Sequence, residues 1–521
     1  MQTTQNIVEL FLDSAEKYPD QIALIDKGGK AYSFLELKEE VESRAAYLYK
    51  HGIRSQDQVL LCLPTDIDLF RNLLALFYLG AIAVLPLNWN EKAQLEQICK
   101  QTDCKALIGV PKARIMAYFS KCMRSIPIKL EANSQGFRSI FPRAKVQPDQ
   151  MALISFRTTE KGILLAEKLS HKFLYHKFQS QFRILDPKQW EIALHTSPLM
   201  ILSYLCIGNS SIIPELGDGL FSSKDISKLI QQLSLYKVNR FNSTPEILLS
   251  LSEFLIEEVE ELADIQRIYC EGRPLSDEEA RLIPEAFPNS KILLAYGNSE
   301  VAPISIRVLD KQKSMQKPDK GILLGEVNEE VELRLIDFRD NPIRVTSYEE
   351  LEYLSLSHTQ IGEIIVKSPL VIPANKDEFD SASFERKKII VEGDLWHRTG
   401  DAGFMRKGSL FYCGKCKELI SHKGKYYAPI LYENYLASFP KIRKGSLIKL
   451  QEQLCLILEL KREKDKEVLI KQLTHASLKF DKLMFLKEIP MKAEGNKKID
   501  YQRLQLLIHK NRQSSTLDLE K

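Results

Sequence analysis

In "NIVELFLDSAEKYPDQIALI" apolar residues recur at helical spacing and then condense into a short apolar run at Ile22–Ile25, which predicts a helix followed by a strand. "FLELKEEVESRAAYLYKHGI" predicts a second amphipathic helix closed by Gly52, and "DQVLLCLP" a buried strand ended by Pro64. The most apolar stretch, "LLALFYLGAIAVLPL" at 73–87, is shorter than the roughly 20 residues that cross a bilayer. With Gly80 inside it and Pro86 near its end, it reads as a buried helix through Phe70–Tyr78 and a strand at Ala83–Leu87. The alternation resumes in "WEIALHTSP", "SYLCIGNSSIIPEL", a helix near Ser223–Tyr236 and "VNRFNSTPEIL". Strands alternating with helices predict an α/β fold built on parallel sheet.

After residue 320 the pattern changes to short strands between turns, "EVELRLID", "IGEIIVKS" and "GSLFYCGK", as in a small β-rich subdomain. From Lys417 the chain is basic and mixed, with a strand at "QLCLILELK" and a helix at "EVLIKQLTHASL". A chain of 521 residues is too long for one core, and the major boundary is expected near 414–418, giving domains 1–414 and 415–521.

Composition adds little until charge is mapped. The overall +4 gives no reason to expect a nucleic-acid partner. From Lys415 onward, however, 23 Lys+Arg face 13 Asp+Glu, a net +10 that leaves −6 for the preceding part. A solvated basic face would look like this, and so would a small domain that closes over an anion. Met1–Lys17 has no continuous apolar core, so no signal peptide is read there, and nine scattered cysteines suit a reduced, cytoplasmic protein. No transmembrane segment is expected; peripheral membrane contact stays open. "CGKC" at 413–416 lacks a second pair at zinc-ligand spacing and reads as chance.

Four stretches could carry chemistry. "LLAYGNSEVAPIS" runs an apolar strand into Tyr296-Gly297, where Gly297 would admit a ligand to the backbone, followed by Ser299 and by Glu300, a carboxylate able to hold a metal ion. "LWHRTGDAGFM" sets Arg398, Thr399 and Asp401 around Gly400, and a carboxylate in a turn can accept both hydroxyls of a ribose. "CGKCKELISHKGKYYAP" brackets a charged loop with Gly414 and Gly424 at the expected boundary. "IPMKAEGNKKIDYQRLQ" puts Lys497 and Lys498 on a loop before a helix starting near Asp500, where a lysine can neutralise charge that builds in a transition state. Taken singly, a strand–turn, an Asp turn, a linker and two solvated lysines account for them better.

In this order and at these separations, from about residue 5 to 508, the four stretches resemble the adenylate-forming (AMP-binding) superfamily of acyl-CoA synthetases, luciferases and peptide-synthetase adenylation domains. "YGNSE" is similar to its Tyr-Gly-x-Thr-Glu, "HRTGD" to its Tyr/Arg-Thr-Gly-Asp, "GKCKELISHKG" to its Gly-Arg-x-Lys-Glu hinge and "GNKKID" to its Gly-Lys-Ile-Asp element. The resemblance implies a large N-terminal domain of two α/β subdomains plus a small β-barrel, and a mobile α+β C-terminal lid. It implies ATP and Mg2+ as cofactors, with CoA as one candidate acyl acceptor. Carried over by motif, Tyr296 would lie near adenine, Glu300 would help bind Mg2+ and ATP, Asp401 would hold the ribose, Lys417 would be the hinge, and Lys498 would stabilise adenylate formation. A narrower likeness, carried by "SPLMILSYLCIGNSSIIPELGDG", "IGEIIVKSPLV", "LWHRTGDAGFMRKGSLFYCGK" and "NKKI", is to the olefin-pathway β-lactone synthetases and implies a small-molecule carboxylic acid substrate with a long acyl chain. Region 190–300, with "NSTPEIL" at 242–248, should then line the acyl pocket.

One stretch departs from the family. Its phosphate loop, rich in Ser, Thr and Gly with a lysine near the end, falls on "ISFRTTEKGILLAEKLSH". Aligned on Phe156 and Ser170-His171, Gly162 fits a family glycine, but Thr159 and Ala166 stand for glycines, Glu160 for Ser or Thr, and Leu165 for the lysine. Lost glycines make positive-φ backbone costly, and Glu160 repels phosphate; Arg157, Lys161 or Lys168 could compensate. The hinge arginine is likewise replaced by Lys415, which keeps the charge without the planar fork. Two expectations follow: a divergent ATP-dependent acid-activating ligase, or a non-catalytic relative binding an acyl chain, nucleotide or protein.

Overall fold

The computed structural model describes residues 6–134, 142–158, 163–189, 191–216, 222–298, 300–309, 321–372, 386–474, 478–491 and 499–511. They fold as two compact units: 1–271 with 286–292 and 299–301, and 272–285 with 293–298 and 302–521.

The first unit holds two groups of strands. In one, strands Ile128–Glu131, Cys104–Gly109, Gln58–Cys62, Ile82–Val84 and Met151–Thr158 pair in parallel in that order, and Leu164–Ser170 closes the row antiparallel as a hairpin with 151–158. In the other, Arg267–Gly272, Arg240–Ser243, Ile192–His195, Ser210–Ile212 and Ile22–Ile25 run parallel, with Ala31–Ser33 antiparallel at the end. These match the two expected α/β subdomains. The apolar stretch at 73–87 divides as expected into helix Ile67–Tyr78 and strand Ile82–Val84. Gly80 between them has φ +65°, and a Cβ there would meet Val146 Cγ1 at 2.8 Å, so the turn tolerates only glycine. Asp66 caps the helix by accepting from the Asp68 and Leu69 amides.

The second unit begins antiparallel: Glu332–Ile336, Gly362–Lys367, Asp394–Arg406, Ser409–Lys415, Ile322–Val327 and Val301–Leu309 are successive neighbours. Trp396, Ile365 and Val391 anchor a fully buried core beneath it. Further along, the antiparallel pair Ile442–Leu450 and Gln453–Leu460 receives Lys482–Leu486 in parallel, and helices Pro429–Ala437, Lys466–Thr474 and Tyr501–Asn511 pack on it through Leu436, Leu469, Leu504 and Ile508. The segment 415–521 lies wholly inside this unit.

Tyr296 and Gly297 lie at the end of strand Lys291–Asn298, as expected. One local expectation changes: Asp401 is not in a turn, since strand Asp394–Arg406 runs through it for 13 residues. Gly400, at φ +69°, bends the strand without ending it, and nothing lies within 4 Å of where its Cβ would be, so backbone conformation rather than space selects glycine.

Candidate active site

In the second unit, pairing sets Asp401 directly opposite Lys415, the last residue of its strand. Lys415 Nζ lies 2.5 Å from Asp401 Oδ1, and the Tyr296 hydroxyl donates to Asp401 Oδ2 at 2.7 Å. The Asp401 amide donates to Thr399 Oγ1 at 3.0 Å, while the Thr399 hydroxyl donates to the Ile364 carbonyl at 2.8 Å. Both carboxylate oxygens are thus engaged, and the side chain is only 4% exposed. Burial, and after it the neighbouring Asp401, holds the Tyr296 hydroxyl well above the ordinary tyrosine range, so it keeps its proton and stays a donor. The Tyr296 ring is buried beside Tyr412, with centroids 6.2 Å apart.

Arg398, in the same motif, serves the fold. Its guanidinium donates to Glu363 at 2.6 Å and to the carbonyls of Arg339 and Asn341, with both charged side chains nearly enclosed. Lys417 is exposed on the short 3-10 turn Cys416–Glu418 that follows the Lys415 strand.

In the first unit, the aligned phosphate-loop stretch, Arg157 through Leu165, has strand at Arg157-Thr158 and Leu164-Leu165, while 159–162 lie outside the described residues. Arg157 pairs with Leu165 and Ser155 with Glu167 across the 151–170 hairpin. Arg157 therefore reaches Glu167 diagonally on one face, 3.1 Å from Nε to Oε1, and donates through Nη2 to Glu300 Oε1 at 2.7 Å. The three side chains are 22%, 12% and 11% exposed, so one guanidinium answers two largely buried carboxylates. The Ser170-His171 pair sits where the hairpin enters helix His171–Leu185: Ser170 Oγ caps it by accepting from the Phe173 amide, and His171 Nδ1 accepts from the Ile7 amide.

Glu300, expected to help bind Mg2+ and ATP, has its carboxylate hydrogen-bonded to Arg157. Of the other expected residues, Gly297 adjoins Tyr296 on its strand, whereas Gly162, Ser299 and Lys498 lie outside the described residues. Glu167 was missed. Its only signal is its place on the return strand of the hairpin, and that depends on a register the sequence does not give.

The family described as "AMP-binding enzyme" matches residues 11–159. A 4-coumarate–CoA ligase from Humulus lupulus is 23% identical over 517 residues, spanning 93% of this chain and 90% of its own. The olefin β-lactone synthetase of Xanthomonas campestris is 23% identical over 483 residues, spanning 86% and 85%. Among solved structures, the O-succinylbenzoate coenzyme A synthetase of Bacillus subtilis in complex with AMP superposes with a TM-score of 0.72 at 18% identity, over 99% of this chain and 100% of that one. The fatty acyl CoA synthetase of Mycobacterium tuberculosis gives 0.69 at 15% identity, over 97% and 99%. Residues 11–159 thus match the AMP-binding enzyme family, and over most of its length the chain is similar to AMP-forming ligases and shares their fold.

Proposed function

We propose that the protein activates a long-chain carboxylic acid with ATP. A carboxylate oxygen of the acid bonds to the α-phosphorus, the bond from that phosphorus to the bridging oxygen breaks, and pyrophosphate leaves, giving acyl-AMP. A thiol such as that of CoA, or the substrate's own β-hydroxyl, then takes the acyl group and releases AMP. The observation that supports this reading best is the Tyr296–Asp401–Lys415 arrangement, a buried carboxylate held by a phenol and an ammonium group on adjoining strands. A ribose diol can take the place of Lys415 at Asp401 Oδ1, leaving Lys415 to answer the nucleotide's phosphate. The long-chain assignment draws on the β-lactone synthetase and fatty acyl-CoA synthetase likenesses. Within the first unit, Asn242, hydrogen-bonded to His195 at 2.9 Å, and the buried Ile247 and Leu248 are proposed for the acyl pocket. Segment 415–521 is proposed as the lid, with Lys417 its hinge and Lys498 its catalytic lysine, and the cytoplasm as its compartment. No helix among the described residues is long and apolar enough to cross a membrane.

The test is pyrophosphate release from ATP over carboxylic acids of increasing chain length, with Asp401→Ala as control. Release that grows with chain length and vanishes in the variant supports the reading; no release with any acid, despite AMP binding, sinks it.

A second reading has its own observation. The Arg157–Glu300 pair and the lost loop glycines favour a nucleotide- or acyl-binding relative without turnover. AMP binding without ATP binding in a calorimetric titration is its signature.

A further inference from the structure

Helix Pro111–Phe119 fully buries only small residues, with Met116 partly buried against the same core. Ala113 and Ala117, one turn apart, are fully buried, and Ala113 lies where a Cβ on Gly109 would be 3.0 Å away, so the helix sits close on its strand. Its outer face is the reverse of what a solvated helix shows. Ile115, Tyr118 and Phe119, spaced i, i+3, i+4, are 59%, 63% and 77% exposed. Ser120 caps the next short helix, Lys121–Arg124, which continues the same surface.

The charge along this segment has one sign, and the acidic neighbours Glu131 and Glu96 are each engaged, with Arg114 and with Ser120 and Lys92. From 104 to 130 the chain carries six basic residues, Lys105, Lys112, Arg114, Lys121, Arg124 and Lys129, and no Asp or Glu. Three are engaged: Lys105 with Asp57, Arg114 with Glu131, and Lys129 with the Arg124 and Ile126 carbonyls. Lys112, Lys121 and Arg124 are exposed beside the apolar stripe.

We propose that the surface formed by Ile115, Tyr118 and Phe119 within the Lys112–Lys121–Arg124 rim docks this protein on an anionic lipid bilayer. Its bulky side chains are more than half exposed, as insertion into the headgroup–acyl boundary requires, while ammonium and guanidinium groups meet lipid phosphates. A second copy of the chain would bring the same positive rim against this one and is disfavoured by charge. The inference goes beyond acid activation and does not depend on it: a bilayer is where a long-chain acid partitions, but the docking face stands on its own residues.

The experiment is co-sedimentation of the full chain with vesicles of phosphatidylcholine alone and of an equal mixture with phosphatidylglycerol, at low and high salt. Two variants accompany it: Ile115→Ser/Tyr118→Ser/Phe119→Ser and Lys112→Glu/Lys121→Glu/Arg124→Glu. All six side chains are exposed, and unchanged melting temperatures verify folding. Salt-sensitive binding to the mixed vesicles is expected, falling roughly tenfold or more in each variant. Absence of binding, or variants that bind like the wild type, overturns the proposal. Loss with the charge variant alone, together with competition by RNA, would assign the rim to a polyanion instead. A dimer dissolved by the apolar variant would assign the stripe to self-association. Both also overturn it.

Discussion

Arg157 and Glu300, 143 residues apart in the chain, are joined by a charge-assisted hydrogen bond of 2.7 Å, with Glu167 as the guanidinium's second carboxylate. A residue of the stretch aligned with the family's phosphate loop thus neutralises Glu300, the acid that the resemblance suggests for Mg2+. Removing one member of a buried ion pair costs about 3–5 kcal/mol, because the other charge is left uncompensated. Arg157→Met is therefore expected to lower stability in urea by about 3 kcal/mol. Adding Glu300→Gln should return part of it, since one of two repelling carboxylates is gone. Strictly additive losses in this cycle would show that the pair is not coupled.

Asp401 is expected to decide nucleotide affinity. Two charge-assisted hydrogen bonds to a ribose are worth about 3 kcal/mol together, so Asp401→Ala should weaken AMP by roughly a hundredfold in calorimetry. Tyr296→Phe deletes the donor to Oδ2 and leaves the ring, at a cost of about 1 kcal/mol in stability. AMP binding of equal strength in Asp401→Ala would remove this carboxylate from the site.

Lys498→Ala separates binding from chemistry. If the lysine acts on the charge developing at the α-phosphate, turnover falls by roughly 100-fold or more while AMP binds as before. Exchange of labelled pyrophosphate into ATP reads the step directly, and unchanged exchange would falsify the assignment.

Stability should fall on mild acidification for an identifiable reason. Burial lowers His171 to about 4 and His195 to about 3. A histidine whose folded pKa lies below its unfolded value of ~6.5 stabilises the fold as the neutral ring. That contribution is complete above pH 6.5 and is lost as pH falls through 4. For His171 the full loss is roughly 3 kcal/mol. Melting temperature against pH should decline over this window, and His171→Asn, which keeps an acceptor for the Ile7 amide, should decline less. Parallel curves for the two proteins would sink the attribution.

The alternation of strands and helices was legible because hydrophobic period and glycine position agree, as at Gly80, where the left-handed backbone and the close neighbours demand what the sequence shows. The meeting of Asp401 with Tyr296 was foreshadowed only through motif likeness, since 105 residues separate them and no local pattern links the two. Asp401 was expected in a turn because one positive-φ glycine reads alike in a turn and in a bent strand. The role of Arg398 was not legible, because sequence cannot show that Glu363 and two carbonyls consume its donors.

The hairpin register also fixes the order in which change can happen. Leu165, where the family has its loop lysine, is the direct cross-strand partner of Arg157. A lysine introduced there would face a guanidinium on the same side of the sheet, a like-charge pair that destabilises. Removing Arg157 first would strand Glu167 and Glu300. A lysine at 165 and the loss of Arg157 are therefore each penalised by a residue already in place, and the two changes would have to come together: the hairpin acts as a ratchet.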